Sequence, residues 1–109
     1  MLLEDLYTEF KQSFNEDTIV TLAAFANAKG GTVYVGLKDD ATPCGVSLAQ
    51  ETIQHWINKI KQKTEPTVIP DVEVVEMDGK QVVKLFVQEY PVKPVSARGR
   101  YYCRQATTT

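Results

Sequence analysis

The sequence has no long hydrophobic run, two cysteines and one histidine, and each shortage excludes a class of protein. No apolar stretch approaches the ~18 residues of a membrane-spanning helix. The acidic start at Glu4 and Asp5 lacks the basic residues and apolar core of a secretory signal, so we expect a cytoplasmic protein without membrane contact. Cys44 and Cys103 lie far apart and His55 stands alone, too few ligands for a zinc site, and two reduced thiols are expected.

Positive charge is scarce and unevenly placed. Twelve lysines and arginines against fourteen acids give a net charge of −2, which argues against a simple basic nucleic-acid binder. All the arginines, however, fall in an acid-free C-terminal segment: Arg98, Arg100 and Arg104. A second basic run holds Lys59, Lys61 and Lys63. The sequence therefore predicts a polarised surface with basic and acidic patches.

What remains is the composition of one globular domain, with 43% hydrophobic and 24% charged residues in a chain of 109. Alternation over 7–13 predicts a strand with Phe10 facing the core, and Glu9 and Lys11 sharing the opposite face. Apolar spacings of three and four then predict a helix that starts near Asn15 and ends at Gly30-Gly31. A helix followed by glycines reverses the order of a phosphate-binding loop, so these glycines are interpreted as a helix cap.

The second half of the chain continues the same mixture of elements. A strand over 32–37 is followed by a second helix, for which Ser47 and Gln50 predict a capping box and Trp56 a buried position. Asp78-Gly79 predicts a β-hairpin, and a short strand over 101–103 comes last. The prediction is an α+β fold: a single compact domain with a mixed, mostly antiparallel sheet of about five to six strands and two main helices. The chain stops just beyond the last strand, so we expect residues 1–109 to be one domain excised from a longer protein and followed by further domains.

Two groups of residues suggest a functional site. Metal-dependent nucleases hold a divalent ion with two or three carboxylates, often beside a lysine. Glu9 and Lys11 fit that pattern, Asp39 or Asp40 could reach the same edge, and Glu4 could join only if the chain turns before Glu9. On spacing alone, solvated surface acids are the simpler interpretation.

The C-terminal segment is the second group. Arginines beside tyrosines combine phosphate pairing with stacking surfaces, which single-stranded nucleic acids favour. The alternative is an edge strand protected by charged residues. The residues concerned are Arg98, Arg100, Tyr101, Tyr102 and Arg104, with Lys11 as a further phosphate contact.

Several short motifs together resemble the Schlafen AlbA-type DNA-binding domain family. They are Glu9-Phe10-Lys11 with Ser13, Ala24-Phe25-Ala26-Asn27 with Gly30-Gly31, Val35-Gly36-Leu37 with Asp39-Asp40 and Gly45-Val46, Pro66 and Pro70 before the hairpin, and Tyr102 with Arg104. Nearly the whole chain is covered. Lys38, where the family more often has an acid, and Gln105-Ala106, where it has a glycine and small residues, depart from the pattern.

The resemblance implies a DNA- or RNA-binding module of a bacterial transcriptional regulator, and leaves homo-oligomerisation open. Some animal Schlafen proteins cleave RNA with two glutamates and an aspartate. Those positions correspond to Glu4, Glu9 and Asp39, with Asp40 as the substitute. The alternative function is therefore an endoribonuclease dependent on Mg²⁺ or Mn²⁺, in which these carboxylates bind the metal and Lys11 takes part in catalysis.

Overall fold

The structure, a computed structural model, describes residues 3–101, which form two helices and two sheets. In chain order the elements are β1 (Thr8–Lys11), α1 (Glu16–Asn27), β2 (Gly31–Val35), α2 (Thr52–Lys63), β3 (Thr64–Glu65), β4 (Asp71–Met77), β5 (Lys80–Val87), β6 (Ser96–Ala97) and β7 (Arg100–Tyr101). The α+β class and both helices are confirmed.

The strands divide between two sheets, whereas the sequence suggested one. The larger sheet has the order β1-β2-β5-β4, with β1 parallel to β2 and the other neighbours antiparallel. The smaller sheet has the order β3-β6-β7 and is antiparallel. The predicted mixed and mostly antiparallel pairing is therefore present. The second sheet forms because β6 pairs with both β3 and β7, and none of these short strands pairs with a described strand of the larger sheet.

Helix α1 lies against one face of the larger sheet and forms the main core with it. The Asn15 side chain accepts a hydrogen bond from the Thr18 amide, and the Thr18 hydroxyl accepts one from the Asn15 amide, which caps the helix as predicted. Fully buried residues from the helix and from β2 and β5 fill the interface: Ile19, Leu22, Phe25, Val33, Val35, Val83 and Leu85. Phe10 is buried on the opposite face, with Leu37 and Val82.

The glycine pair ends α1 as the sequence predicts. Gly30 has φ +84° and donates its amide to the Phe25 carbonyl at 2.8 Å, which closes the last turn of the helix. A Cβ atom on Gly31 would lie 2.5 Å from the Phe25 ring. The first glycine therefore supplies a left-handed backbone, and the second leaves room for an aromatic core residue.

Helix α2 is less buried than its apolar stripe suggests. Ile60 is fully buried, but Trp56 is only half-buried and stacks on Phe14, with 4.8 Å between the ring centroids. Ile60 is the only residue of α2 that is buried, while Ile53 and Trp56 in the earlier turns pack against the core only partly buried. The predicted capping box of Ser47 and Gln50 is wrong. The helix begins at Thr52, whose hydroxyl accepts a hydrogen bond from the Ala49 amide.

The predicted hairpin is confirmed. Strands β4 and β5 are joined by Asp78 and Gly79, which both have positive φ, as a two-residue type I′ turn requires.

Neither helix is long and apolar enough to cross a membrane, within residues 3–101.

Replacing Gly30 by alanine should destabilise the domain by about 3 kcal/mol, as the sum of left-handed strain and overpacking. The added Cβ would lie 2.7 Å from the Val87 carbonyl oxygen. Gly79→Ala is the matched control, since Gly79 has a similar φ of +75° but no atom within 4 Å of its Cβ position. Urea unfolding should show a clearly larger loss for Gly30→Ala, and equal losses would contradict the packing explanation.

Candidate nucleic-acid interface

The chain after β5 is attached to the end of α1 by backbone and side-chain hydrogen bonds. The Tyr90 amide donates to the Ala26 carbonyl at 2.9 Å. The Asn27 side chain then pairs with both polar groups of Val95: its Nδ2 donates to the Val95 carbonyl at 2.9 Å, and its Oδ1 accepts from the Val95 amide at 2.6 Å. Because Val95 is fully buried, this pairing fixes the position of the segment that follows.

That segment is a small hairpin that presents arginines to solvent. Strands β6 and β7 are joined by Arg98 and Gly99, with φ of 55° and 78°, which is again a type I′ turn. The Arg98 amide donates to the carbonyl of Lys63, the last residue of α2, at 2.9 Å. The fold thus brings together two basic runs that are far apart in sequence. Arg98 and Arg100 are both exposed.

One acid, Glu16, lies between the two runs and forms a long ion pair with each of them. Its carboxylate is 3.8 Å from the Arg98 Nε and 3.9 Å from the Lys63 Nζ. Both distances exceed a normal hydrogen bond, and the Arg98 side chain remains 54% exposed. The Glu16 Oε2 that faces Arg98 is itself buried and accepts no hydrogen bond from the described residues, whereas most of the Arg98 side chain stays open to an incoming anion.

We call Lys59, Lys63, Arg98 and Arg100 the basic surface. Lys59 is exposed one turn before Lys63 on the same side of α2. Guanidinium and ammonium groups that face solvent together are suited to phosphate groups. The predicted stacking residue Tyr101 belongs to β7 by its backbone, while Tyr102 and Arg104 lie outside the described residues.

The acids singled out in the sequence lie elsewhere, at the outer edge of β1. Asp5 and Thr8 exchange backbone hydrogen bonds, so the chain does turn between Glu4 and Glu9. The turn brings the Glu4 carboxylate back onto β1, where its Oε2 accepts a hydrogen bond from the Phe10 amide at 2.8 Å. The carboxylates of Glu4 and Glu9 also interact, and the charge of Lys11 acts on Glu4.

Burial is the main influence on the Glu4 carboxyl and raises its pKa above the ordinary value of 4.5. The hydrogen bond from the Phe10 amide opposes this, because it stabilises the charged form. The hydrogen bond and the negative charge of Glu9 raise the pKa further, and the positive charge of Lys11 lowers it. The net direction is upward, as for two carboxyl groups that share a small space.

Asp39 does not complete a cluster with these two glutamates. It is exposed on the loop after β2, and no three His, Cys, Asp or Glu side chains among the described residues lie close enough to hold a metal ion. Asp40 accepts a hydrogen bond from the Thr42 amide at 3.0 Å, and hydrogen bonding to Thr42 lowers the pKa of this exposed carboxyl. The structure therefore joins Glu4, Glu9 and Lys11 but leaves Asp39 and Asp40 apart.

Sequence reasoning missed the role of Lys63 and of Asn27. The sequence shows Lys63 only as the last member of a separate basic run, and the pairing of β3 with β6 places it beside Arg98. Gly99 between two short strand-like segments was the available signal for the second hairpin. No local signal indicates that Asn27 pairs with a residue 68 positions away.

The family is established by comparison with known proteins. The family model described as "Schlafen, AlbA_2" matches residues 4–109. The chain therefore belongs to the Schlafen AlbA_2 family. No curated protein matches it.

Solved structures share the fold at low sequence identity. The DIP2311 protein from Corynebacterium diphtheriae is 20% identical with a TM-score of 0.73, over 94% of this chain and 21% of that protein. The N-terminal domain of an ATP-dependent DNA helicase RecG-related protein from Nitrosomonas europaea is 18% identical with a TM-score of 0.68, over 94% of this chain and 79% of that one. This chain thus spans about a fifth of the Corynebacterium protein.

An NMR titration of the Glu4 carboxyl should give a pKa above 4.5, which Glu9→Gln lowers and Lys11→Met raises. Because the folded pKa is raised, the proton stabilises the fold most below the unfolded pKa, and this contribution is lost as pH rises through the folded value. Relative to the parent, Glu4→Gln should therefore gain stability from pH 4 towards pH 7. A stability difference that is flat with pH would contradict the raised pKa.

Proposed function

We propose that this domain binds nucleic acid, DNA or RNA, as one module of a transcriptional regulator. The observation that carries the proposal is the basic surface, where the β6–β7 hairpin sets Arg98 and Arg100 beside the end of α2. Membership of the Schlafen AlbA_2 family and a similar fold in a helicase-related protein are consistent with a nucleic-acid-related module.

The charge distribution supports binding through the phosphate backbone. The chain as a whole carries a net charge of −2, so attraction depends on the local field of the basic surface. Glu16 pairs with both Arg98 and Lys63 at distances longer than a hydrogen bond, so the remaining donors of both side chains can turn to a phosphate oxygen while these pairs are kept. Tyr101, Tyr102 and Arg104 are proposed to extend this surface by stacking and pairing, and Lys11 to add a phosphate contact from β1.

Single-stranded oligonucleotides should bind weakly and with strong salt dependence. Changing both Arg98 and Arg100 to alanine should weaken binding and reduce the slope of log affinity against log salt by about 1.4, the counterion release of two phosphate contacts on a single strand. Adding Arg104→Ala should reduce the slope further. Fluorescence anisotropy at several salt concentrations measures both quantities.

A double variant with Lys38 and Lys80 changed to alanine is the matched control. Both lysines are exposed and lie away from the basic surface, and their loss changes the net charge equally. It should bind almost like the parent. Equal weakening by the two double variants would show that overall charge, and not this surface, attracts the nucleic acid.

A second candidate function is a metal-dependent endoribonuclease, favoured by the approach of Glu4 and Glu9 beside Lys11. Carboxylates of this kind are suited to Mg²⁺ or Mn²⁺. The fit is partial, since Asp39, the third ligand that the family resemblance implies, does not lie with them. We therefore assign no catalytic step to a metal ion.

Incubation of a structured RNA such as tRNA with the protein and Mn²⁺ tests this candidate. Cleavage should be abolished by a chelator and by Glu9→Ala. Glu76→Ala, which removes an exposed acid from a different strand, should cleave like the parent. If Glu9→Ala retains full cleavage, the activity does not come from this cluster.

A further inference from the structure

The two outer strands of the larger sheet differ in how their free backbone groups are satisfied. Met77 and Lys80 flank the two-residue turn and form a hydrogen-bonded pair. Every second residue of β4 counted back from Met77, that is Val75, Glu73 and Asp71, therefore also bonds to β5. Val72, Val74 and Glu76 consequently direct their amide and carbonyl groups away from the sheet. Within residues 3–101, no strand pairs with this side of β4.

The opposite edge of the sheet is covered by the chain itself. Tyr7 and Lys11 bond to β2 through their carbonyls, so the Phe10 amide points outward. The Glu4 carboxylate accepts a hydrogen bond from that amide, and the Asp5 side chain accepts one from the Tyr7 amide. The outward amides of Tyr7 and Phe10 at the β1 edge are thus bonded by side chains of the same chain. The β4 edge, in the part of the chain that the structure describes, presents a seven-residue strand to which a further strand could pair.

The side chains of β4 indicate what kind of strand would fit. In the first half of β4, Asp71 and Glu73 lie on one face and Val72 and Val74 on the other. In its second half, Val75 and Met77 continue the first face and Glu76 continues the second. Val74 is 45% exposed. Glu73 is 64% exposed and pairs with Lys84 only at 3.4 Å. A second copy of β4 would bring acid-rich strands together, and this like-charge repulsion disfavours self-pairing.

A shallow cavity of about 180 Å³ adjoins the acidic face. It is lined by Thr32, Asp71, Val72, Glu73, Lys84 and Phe86. Phe86 is 40% exposed there. An aromatic ring beside the carboxylates of Asp71 and Glu73 is suited to the apolar stem and charged head of a lysine or arginine, which would share Glu73 with Lys84.

We propose that the free edge of β4 binds an extended polypeptide segment in which basic and apolar residues alternate. The segment adds one antiparallel or parallel strand to the larger sheet. Its basic side chains lie over Asp71 and Glu73, and its apolar side chains lie against Val72 and Val74. Backbone hydrogen bonds to residues 72, 74 and 76 provide affinity, and the charge pattern selects the partner.

The probe is an acetylated and amidated peptide of alternating lysine and valine, about eight residues long, labelled for fluorescence anisotropy. It should bind saturably to the full chain. A peptide of the same composition with all lysines first should bind much more weakly. In the complex, the backbone amides of Val72, Val74 and Glu76 should become protected from hydrogen exchange.

Val74→Pro tests the edge directly. The Val74 amide faces away from β5, so a proline there removes an outward donor without breaking the hairpin ladder. Peptide binding should fall by about tenfold, while Val74→Thr, which keeps the amide, should bind like the parent. Changing Asp71 to Asn together with Glu73 to Gln should weaken peptide binding and reduce its salt dependence. This second variant tests the proposal even if the Val74→Pro protein does not fold.

Three outcomes would overturn the proposal. One is unchanged peptide binding in a folded Val74→Pro protein. Another is equal binding of the alternating and block peptides, which would show mere charge attraction. The third is a dimer in sedimentation that Val74→Pro disperses, because the occupant of the edge would then be a second copy of this chain.

Discussion

The arrangement of the basic surface depends on the pairing of one side-chain amide with one backbone residue. Asn27 uses its donor and its acceptor on the two polar groups of Val95, as a neighbouring strand would. A buried amide without partners would cost free energy, so each partner stabilises the position of the other. Through this contact the end of α1 fixes the start of β6, and β6 in turn pairs with β3 at the end of α2. Three segments that are distant in sequence are thereby held in one place.

The molecule separates its charges although their sum is small. The basic surface lies at the smaller sheet, and acids line β4 at one edge of the larger sheet. A separation of this kind allows a nearly neutral domain to attract negatively and positively charged partners at different places. The reason is that the electrostatic field of a surface charge acts only within about a Debye length of 8–10 Å. Net charge alone, the first quantity read from the composition, is a poor guide to such a surface.

The sequence predicted those parts of the fold whose causes are local. The cap at Asn15, the helix end at Gly30 and the Asp78-Gly79 turn each depend on residues within a few positions of one another, and all three are confirmed. The exposure of Trp56 and the division into two sheets depend on where α2 docks, and no local pattern determines that. The predicted capping box of Ser47 and Gln50 is wrong because the helix begins later, at Thr52, with Glu51 at the N-cap position and no side-chain cap.

The candidate site was predictable by residue type but not by arrangement. The arginine-rich segment and the Glu9-Lys11 strand face were both visible in the sequence. The turn that returns Glu4 to β1 follows from backbone pairing between Asp5 and Thr8, which acidic residues at that spacing do not reveal. The absence of a three-ligand group with Asp39 among the described residues likewise depends on the path of the loop after β2.

Arg98 illustrates how a residue proposed to bind nucleic acid can oppose folding. It occupies the first position of a type I′ turn with φ 55°, where asparagine or glycine is favoured over a long side chain. Selection for thermal stability alone would therefore tend to replace this arginine with asparagine, and the hairpin would be retained while its charge was lost. An arginine that is kept at this left-handed position across related sequences would therefore indicate selection for anion binding. Relatives with asparagine or glycine there would retain the hairpin without its charge.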